Sequence, residues 1–433
     1  MRVLRYGDVG PDVQLVQLAL QRAGYANVDT DGEFGPDTLN TMRRFQASKG
    51  LSADGVVGPN TWDAIRPYLT GYVTRKIENG DTLWRLAQLY TTSVDAIKVA
   101  NPGLQAENLN VGYTITIPLG FDVTPTTIDY TSELMAYVVD GLSARYPFIS
   151  LATIGNSVMG KPIYRLKMGV GDTQVGYNAS HHANEWINTP VLLKFLEQYA
   201  KAYVSGGTIF GRLASSLYTT SEVNMVAMVN PDGVDLVNGA LTEGRYYENA
   251  KRIAERYPNV PFPSGWKANI EGTDLNLNYP AMWEEAKRIK FALGYTSPAP
   301  RDYVGETPLS APESNSMYRL TLGNNYRLIL AYHSQGKVIY WKFLGYEPPN
   351  SLEIAEKFGE VSGYAVETTP EESGYAGYKD WFIQQYNLPG YTIEVGRGVN
   401  PLPLSQFDEI YEDNLGILVS ALQLSQLDLT EED

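Results

Sequence analysis

Apolar residues at Val13, Leu15, Val16, Leu18 and Leu20 predict a buried helix early in the chain, and Met42 and Phe45 fall on another. The same turn occurs twice among these helices. "DTDGEFGPDT" (29–38) and "SADGVVGPNT" (52–61) share D-G-x-F/V-G-P-x-T, 23 residues apart. Each reads as an Asp-Gly turn running into a helix start, with Thr38 or Thr61 near its N-terminus. A small helical unit over 1–69 is expected. Alternation over 72–77 then predicts a strand and Asn79-Gly80 a turn. Asp81 or Thr82 caps a helix carrying Leu83, Leu86, Ala87 and Tyr90. A second helix starts at Ser93, and "GYTITIP" closes a βααβ unit over 70–119. Trp84 falls within the first of these helices and reads as core rather than as a sugar-stacking residue.

The Pro- and Thr-containing stretch 118–128 reads as a linker. Beyond it, "QVGYNAS", "SEVNMVAMVN", "RLILAYHS", "KVIYWKF" and "YTIEVG" are apolar strand-like runs. Helical stretches lie between them, such as 186–203 with Leu192, Phe195, Leu196 and Tyr199 on one face. Buried runs alternating with helices predict one α/β domain over 120–433, a mixed, mostly parallel sheet with helices on both faces. The end, "LTEED", reads as a frayed acidic tail.

Composition narrows the chemistry. The chain of 433 residues has no cysteine, which excludes disulfides, thiol nucleophiles and Cys-based zinc sites together. A formal charge of −15 argues against a nucleic-acid partner, since phosphate binding needs a basic face. No window approaches the roughly 18 uninterrupted apolar residues of a membrane span, so no membrane partner is expected. The first residues, "MRVLRYGDVGPD", lack the apolar core of a Sec signal peptide. The expected place of action is the cytoplasm of a sporulating cell, or the wall or spore cortex reached by a non-Sec route.

Histidine is scarce, and two of the three stand together in "SHHANEW" (180–186). His182 and Glu185 follow an apolar strand at a helix start, where i and i+3 side chains point the same way. His333 ends the strand-like run "YRLILAYHS", and ligands of open α/β sheets gather beyond the carboxyl ends of strands. Two imidazoles and a carboxylate match a catalytic zinc set that leaves one position for water. On spacing alone, a surface ion pair is the default reading of a His-x-x-Glu pair. His181 does not fit the spacing and reads as a supporting or structural group.

Longer motifs add a resemblance. "HANEW", "VNPDGV" (229–234), "GTDLNLN" (272–278), "GYKDW" (377–381) and "YTIEVG" (391–396) follow in the order found in the zinc carboxypeptidase family, over about 125–425. The resemblance implies one zinc per chain, held by His182, Glu185 and His333. It implies Glu394 as the catalytic glutamate, Asp274 as the hydrogen-bond acceptor of the first zinc histidine, and Lys267 in place of an oxyanion-stabilising arginine. The first two units resemble a peptidoglycan-binding domain and a LysM module. LysM modules bind N-acetylglucosamine polymers through loops that correspond here to Gly80-Asp81-Thr82 and Pro102-Gly103-Leu104.

The pattern departs from the family at its substrate anchor. The arginine that holds a terminal carboxylate is Leu277 here, and Asn184 stands where an arginine often lies between the first ligands. Asn276 remains as a substrate hydrogen-bonding group. The three-part arrangement resembles the family's bacterial γ-D-glutamyl-L-diamino acid endopeptidases, which cut peptidoglycan stem peptides. Lys379 and Arg397 are then candidate anchors for an anionic substrate, and Tyr375 is a candidate substrate cap. Two alternatives stand beside this reading: a carboxypeptidase with another carboxylate anchor, and an inactive wall-binding protein.

Overall fold

The computed structural model describes residues 2–107 and 109–425, so the acidic tail "LTEED" lies outside the described residues. The chain divides into two compact units, one of residues 1–129 and 133–150, the other of 130–132 and 151–433.

The first unit begins with helices Pro11–Arg22, Pro36–Ser48 and Pro59–Thr70, each opening on a proline. Proline suits this position because its missing N–H would be unpaired there anyway. The repeated motif is built around a buried glutamine. Gln17 Nε2 donates to Asp31 Oδ1 (2.7 Å), the Glu33 carbonyl (3.0 Å) and Thr38 Oγ1 (3.2 Å), while its Oε1 accepts from Gly32 N (2.8 Å). Gln46 repeats this with Asp54 (3.2 Å), the Val56 carbonyl (2.9 Å), Thr61 (3.1 Å) and Gly55 N (2.8 Å). Gly32 and Gly55 sit at φ +77° and +80°, the left-handed region that glycine enters without a Cβ penalty. The motif's Asp, Gly and Thr are therefore committed to closing each turn onto a helix.

Strands Tyr72–Lys76 and Thr114–Pro118 pair antiparallel around helices Leu83–Leu89 and Val94–Ala100. Thr82 and Ser93 cap those helices through their side-chain oxygens. Ile77, Leu83, Leu86, Ala87, Ile97, Ile115 and Ile117 form the core. Trp84 does not join it: the side chain is 68% exposed, which corrects the expectation of a core tryptophan. In a seven-residue helix whose buried stripe runs 83, 86, 87, position 84 is rotated about 100° off the stripe.

The stretch 118–128 is packed. Val123 and Ile128 are buried. Arg22 Nη2 donates to the carbonyls of Asp122 (2.8 Å) and Val123 (2.9 Å), and Arg145 Nη1 to that of Phe121 (2.6 Å). Helix Ser132–Arg145 contributes Gly141, where any Cβ would collide with the Thr70 carbonyl.

The second unit holds an eight-stranded sheet, in the order Ala365–Glu367, Val338–Tyr340, Gly390–Val395, Tyr326–Ser334, Thr173–Ala179, Ser221–Val226, Pro162–Met168, Ser150–Asn156. Gly390–Val395, Tyr326–Ser334, Thr173–Ala179 and Ser221–Val226 run parallel to one another. Val338–Tyr340 pairs antiparallel with Gly390–Val395, and Pro162–Met168 antiparallel with Ser221–Val226. Helices Asn188–Val204, Tyr378–Tyr386 and Phe407–Leu424 pack against it. This is the expected mixed, mostly parallel α/β architecture. Among the described residues, no helix is long and apolar enough to cross a membrane.

Candidate metal centre

Three parallel-strand ends converge on one point. Strand Thr173–Ala179 runs into His181-His182 and a 3₁₀ turn, Ala183–Glu185, so His182 and Glu185 face the same side. Strand Tyr326–Ser334 delivers His333 and strand Gly390–Val395 delivers Glu394, which are register partners. His182, Glu185 and His333 each present a ligand atom within 4.8 Å of the others. Glu185 Oε1 lies 2.9 Å from His182 Nδ1, Glu185 Oε2 lies 2.9 Å from His333 Nδ1, and the two Nδ1 atoms are 3.2 Å apart.

These atoms fit a zinc ion. Tetrahedral ligands at about 2.0–2.1 Å from zinc are separated by roughly 3.3 Å, close to the 3.2 Å between the ring nitrogens. The proton bookkeeping agrees. His182 Nε2 lies 3.1 Å from Asp274 Oδ1, and an ionised carboxylate only accepts, so Nε2 carries the proton and Nδ1 offers its lone pair. Two facing imidazole nitrogens and a carboxylate repel one another as lone pairs unless a cation lies among them. Burial resists a charge on His182, but the Glu185 and Asp274 carboxylates outweigh it and push its pKa up to about 9. Burial lowers the pKa of His333.

The surroundings hold Glu185 from several sides. Ser334 N and Lys267 Nζ donate to its two oxygens at 3.2 and 3.1 Å. Asp274 accepts from Asn276 N (3.2 Å) and Asp302 N (3.1 Å), which fixes the carboxylate that orients His182. His181 lies outside the three-ligand cluster. It is fully buried, with Nε2 3.0 Å from the Tyr279 hydroxyl and its ring stacked on Tyr378. Burial pushes its pKa well down, so its ring is neutral. Burial, then the neighbouring Glu185 charge, raises the pKa of Glu394 in the metal-free chain.

Two cavities open from this centre. One, of about 530 Å³, is lined by Asn184, Ser264, Gln335 and Asn400 among others. The second, of about 290 Å³, is lined by Asp274, Asn276, Leu277, Lys379 and Thr392 among others. Lys267, Arg301, Tyr340 and Glu394 line both.

The remaining sequence candidates divide. Asn276 lines the smaller cavity, and its Oδ1 accepts from Tyr378 N at 3.1 Å. Lys379 lines it too, but its side chain is only 4% exposed and its ammonium is committed to Asp380 Oδ1 (2.6 Å), the Lys342 carbonyl (2.7 Å) and Thr369 Oγ1 (3.4 Å). A saturated, buried lysine is poorly suited to seize a substrate carboxylate. Tyr375 is 8% exposed inside a hydrophobic core cluster and lines neither cavity. Its aromatic body packs with that core. Arg397 is exposed and lines neither cavity, and its backbone N and O are bonded to the Gln406 side chain.

Sequence reasoning missed Arg301 and Tyr340. Tyr340 pairs with Thr392, and Val338 with Glu394, so period-two alternation puts Tyr340 on the face that carries Thr392 and Glu394. That signal was present in "KVIYWKF". Arg301 lies in irregular chain between helices, where no periodicity marks it.

Comparison with known proteins bears on all three parts of the chain. The zinc carboxypeptidase family model matches residues 135–416, a peptidoglycan binding domain model residues 9–65, and a LysM domain model residues 76–118. The gamma-D-glutamyl-L-diamino acid endopeptidase 1 of Lysinibacillus sphaericus is 43% identical over 401 residues, covering 80% of this chain and 99% of that protein. The uncharacterized protein YqgT of Bacillus subtilis (strain 168) is 43% identical over 280 residues, 64% of this chain and 73% of its own. Bovine thrombin-activatable fibrinolysis inhibitor is similar in fold, with a TM-score of 0.53 at 18% identity over 69% of this chain and 97% of that one.

Proposed function

Because this chain belongs to the zinc carboxypeptidase family, we propose that it is a zinc endopeptidase of peptidoglycan stem peptides. It hydrolyses the amide between γ-D-glutamate and the following diamino acid, meso-diaminopimelate or lysine. The observation that carries this reading is the cleft. Glu394 lines two cavities, and Leu277, in the smaller one, stands where the family resemblance places the arginine that an exopeptidase needs. The similarity to the Lysinibacillus endopeptidase over nearly its full length supports the bond assignment.

His182, Glu185 and His333 hold the metal in this reading. Zinc, when bound, supplies Lewis acidity and lowers the pKa of a water toward about 7. Glu394 takes a proton from the attacking water and returns it to the leaving nitrogen. Lys267 donates to the carbonyl oxygen as negative charge develops there. Asp274 keeps His182 in the ligating tautomer, and Asn276 offers its amide N–H to the substrate. Residues 1–69 and 70–119 bind the wall, the latter through N-acetylglucosamine-containing glycan, and 120–433 cut it. Tethering raises the local concentration of stem peptide without any new contact at the cleft. The place of action is the cell wall or spore cortex.

Incubation with L-Ala-γ-D-Glu-meso-diaminopimelate-D-Ala, with products identified by mass, tests this directly. L-Ala-γ-D-Glu is expected. Release of D-Ala alone would make the protein an exopeptidase instead.

A further inference from the structure

One charged group at the junction of the two cavities has no part in that mechanism. Arg301 lines both. Its Nε donates to Asp302 Oδ2 at 2.6 Å, and the other oxygen of Asp302 lies 2.7 Å from Lys290 Nζ. Asp302 N in turn donates to Asp274 Oδ2 at 3.1 Å, so the loop that aims Arg301 is tied to the carboxylate that orients His182. The terminal nitrogens of Arg301 make no hydrogen bond among the described residues. Each of the other cations of the cleft pairs with a carboxylate through its terminal nitrogen. Lys267 is on Glu185, Lys290 on Asp302, and Lys379 on Asp380 and two oxygens. Lys290, Asp302 and Arg301 together leave one net positive charge, carried by a side chain that is 43% exposed.

We propose that Arg301 is the substrate-carboxylate anchor of this enzyme, gripping an acid group near the scissile amide through its two free terminal nitrogens. It takes over, from a different loop, the task for which position 277 offers only leucine. A planar guanidinium held at Nε and open at both Nη atoms is preorganised for a two-point grip on a carboxylate. At the junction of the cavities it reads an acid close to the bond being cut, which suits internal cleavage of an acidic stem. The proposal rests on the stem-peptide reading above. The acid has three sources in the tetrapeptide: the α-carboxylate of γ-linked D-glutamate, the free carboxylate of diaminopimelate, and the terminal carboxylate of D-Ala.

Steady-state kinetics of the zinc-loaded full chain and of Arg301→Leu decide it, on the stem tetrapeptide and on three analogues that each lack one of these carboxylates. A charged hydrogen bond of the usual strength makes the expected rise in KM about 10- to 100-fold on the parent, with kcat changed less than about threefold. The rise should vanish on one analogue, which identifies the acid, and Arg301→Lys should recover part of it. An equal penalty on all four substrates, or a loss confined to kcat, would overturn the proposal. A readout free of turnover is the affinity of Glu394→Gln for the tetrapeptide, with and without Arg301→Leu. Weakening by a similar factor is expected, and an unchanged Kd overturns the anchor. Failure of the wild-type chain to release L-Ala-γ-D-Glu refutes the stem-peptide reading separately and leaves the binding measurement to judge Arg301.

Discussion

Glu394 and His333 are Cα partners on adjacent parallel strands, so the proposed base and a proposed metal ligand are held side by side by ladder hydrogen bonds. Their spacing does not depend on a loop. Glu394→Gln leaves that ladder and the contacts among His182, Glu185 and His333 untouched. Turnover is expected to fall by about 10²- to 10⁴-fold, the usual contribution of a positioned acid–base group, while bound zinc stays at the wild-type level. Zinc analysis beside the activity assay checks this, and loss of metal with activity would contradict it.

Asp274 acts on the metal only through His182 Nε2, at 3.1 Å. Asp274→Asn replaces an acceptor-only carboxylate with an amide that can donate as well as accept, so the proton is no longer forced onto Nε2. Zinc affinity is expected to drop by about 10- to 100-fold, read by competition with a chromophoric chelator. Unchanged affinity would mean that the tautomer is fixed by something else.

Glu313 supplies a pH dependence away from the metal. It is fully buried, accepts from Val158 N (3.1 Å) and Asn269 Nδ2 (3.1 Å), and burial raises its pKa from 4.5 to about 7. The folded chain therefore holds a proton that the unfolded chain has released between those two values. The stability this contributes is complete below pH 4.5, falls as pH rises through that window, and is absent above about pH 7. Glu313→Gln should show a stability relative to wild type that climbs by up to about 3 kcal/mol across the window and is flat outside it. Denaturant unfolding at a series of pH values measures the difference, and a flat difference would contradict the assignment.

Gln17 and Gln46 each satisfy four polar groups inside the helical unit. Gln17→Leu or Gln46→Leu strands buried partners and should cost about 2–4 kcal/mol. Calorimetry of the full chain reads this as a lowered transition of the first unit, with hydrolysis of a soluble stem peptide unchanged.

The fold and the candidate site differ in how legible they are. His182 and Glu185 are readable because a strand end followed by a tight turn brings i and i+3 together, and His333 because strand carboxyl ends converge. The three lie in one cluster. Trp84 is readable too, since the stripe 83, 86, 87 excludes it, and membership of a helix does not by itself mean burial. Lys379 and Arg397 drew attention as cations, and a sequence shows charge without showing what already neutralises it. The three oxygens around Lys379 come from Lys342, Thr369 and Asp380, and none of these contacts has a sequence signature. Arg301 is the converse. It stands in irregular chain, and its importance comes from lining both cavities with open donors.

The central claim, a one-zinc endopeptidase, is tested most directly by zinc titration of the chelator-stripped protein while L-Ala-γ-D-Glu release from the stem tetrapeptide is followed. The expected result is no release from the stripped protein, then a rise to a plateau at one zinc per chain. Release that survives stripping, or zinc-dependent release of D-Ala in place of the dipeptide, would contradict it.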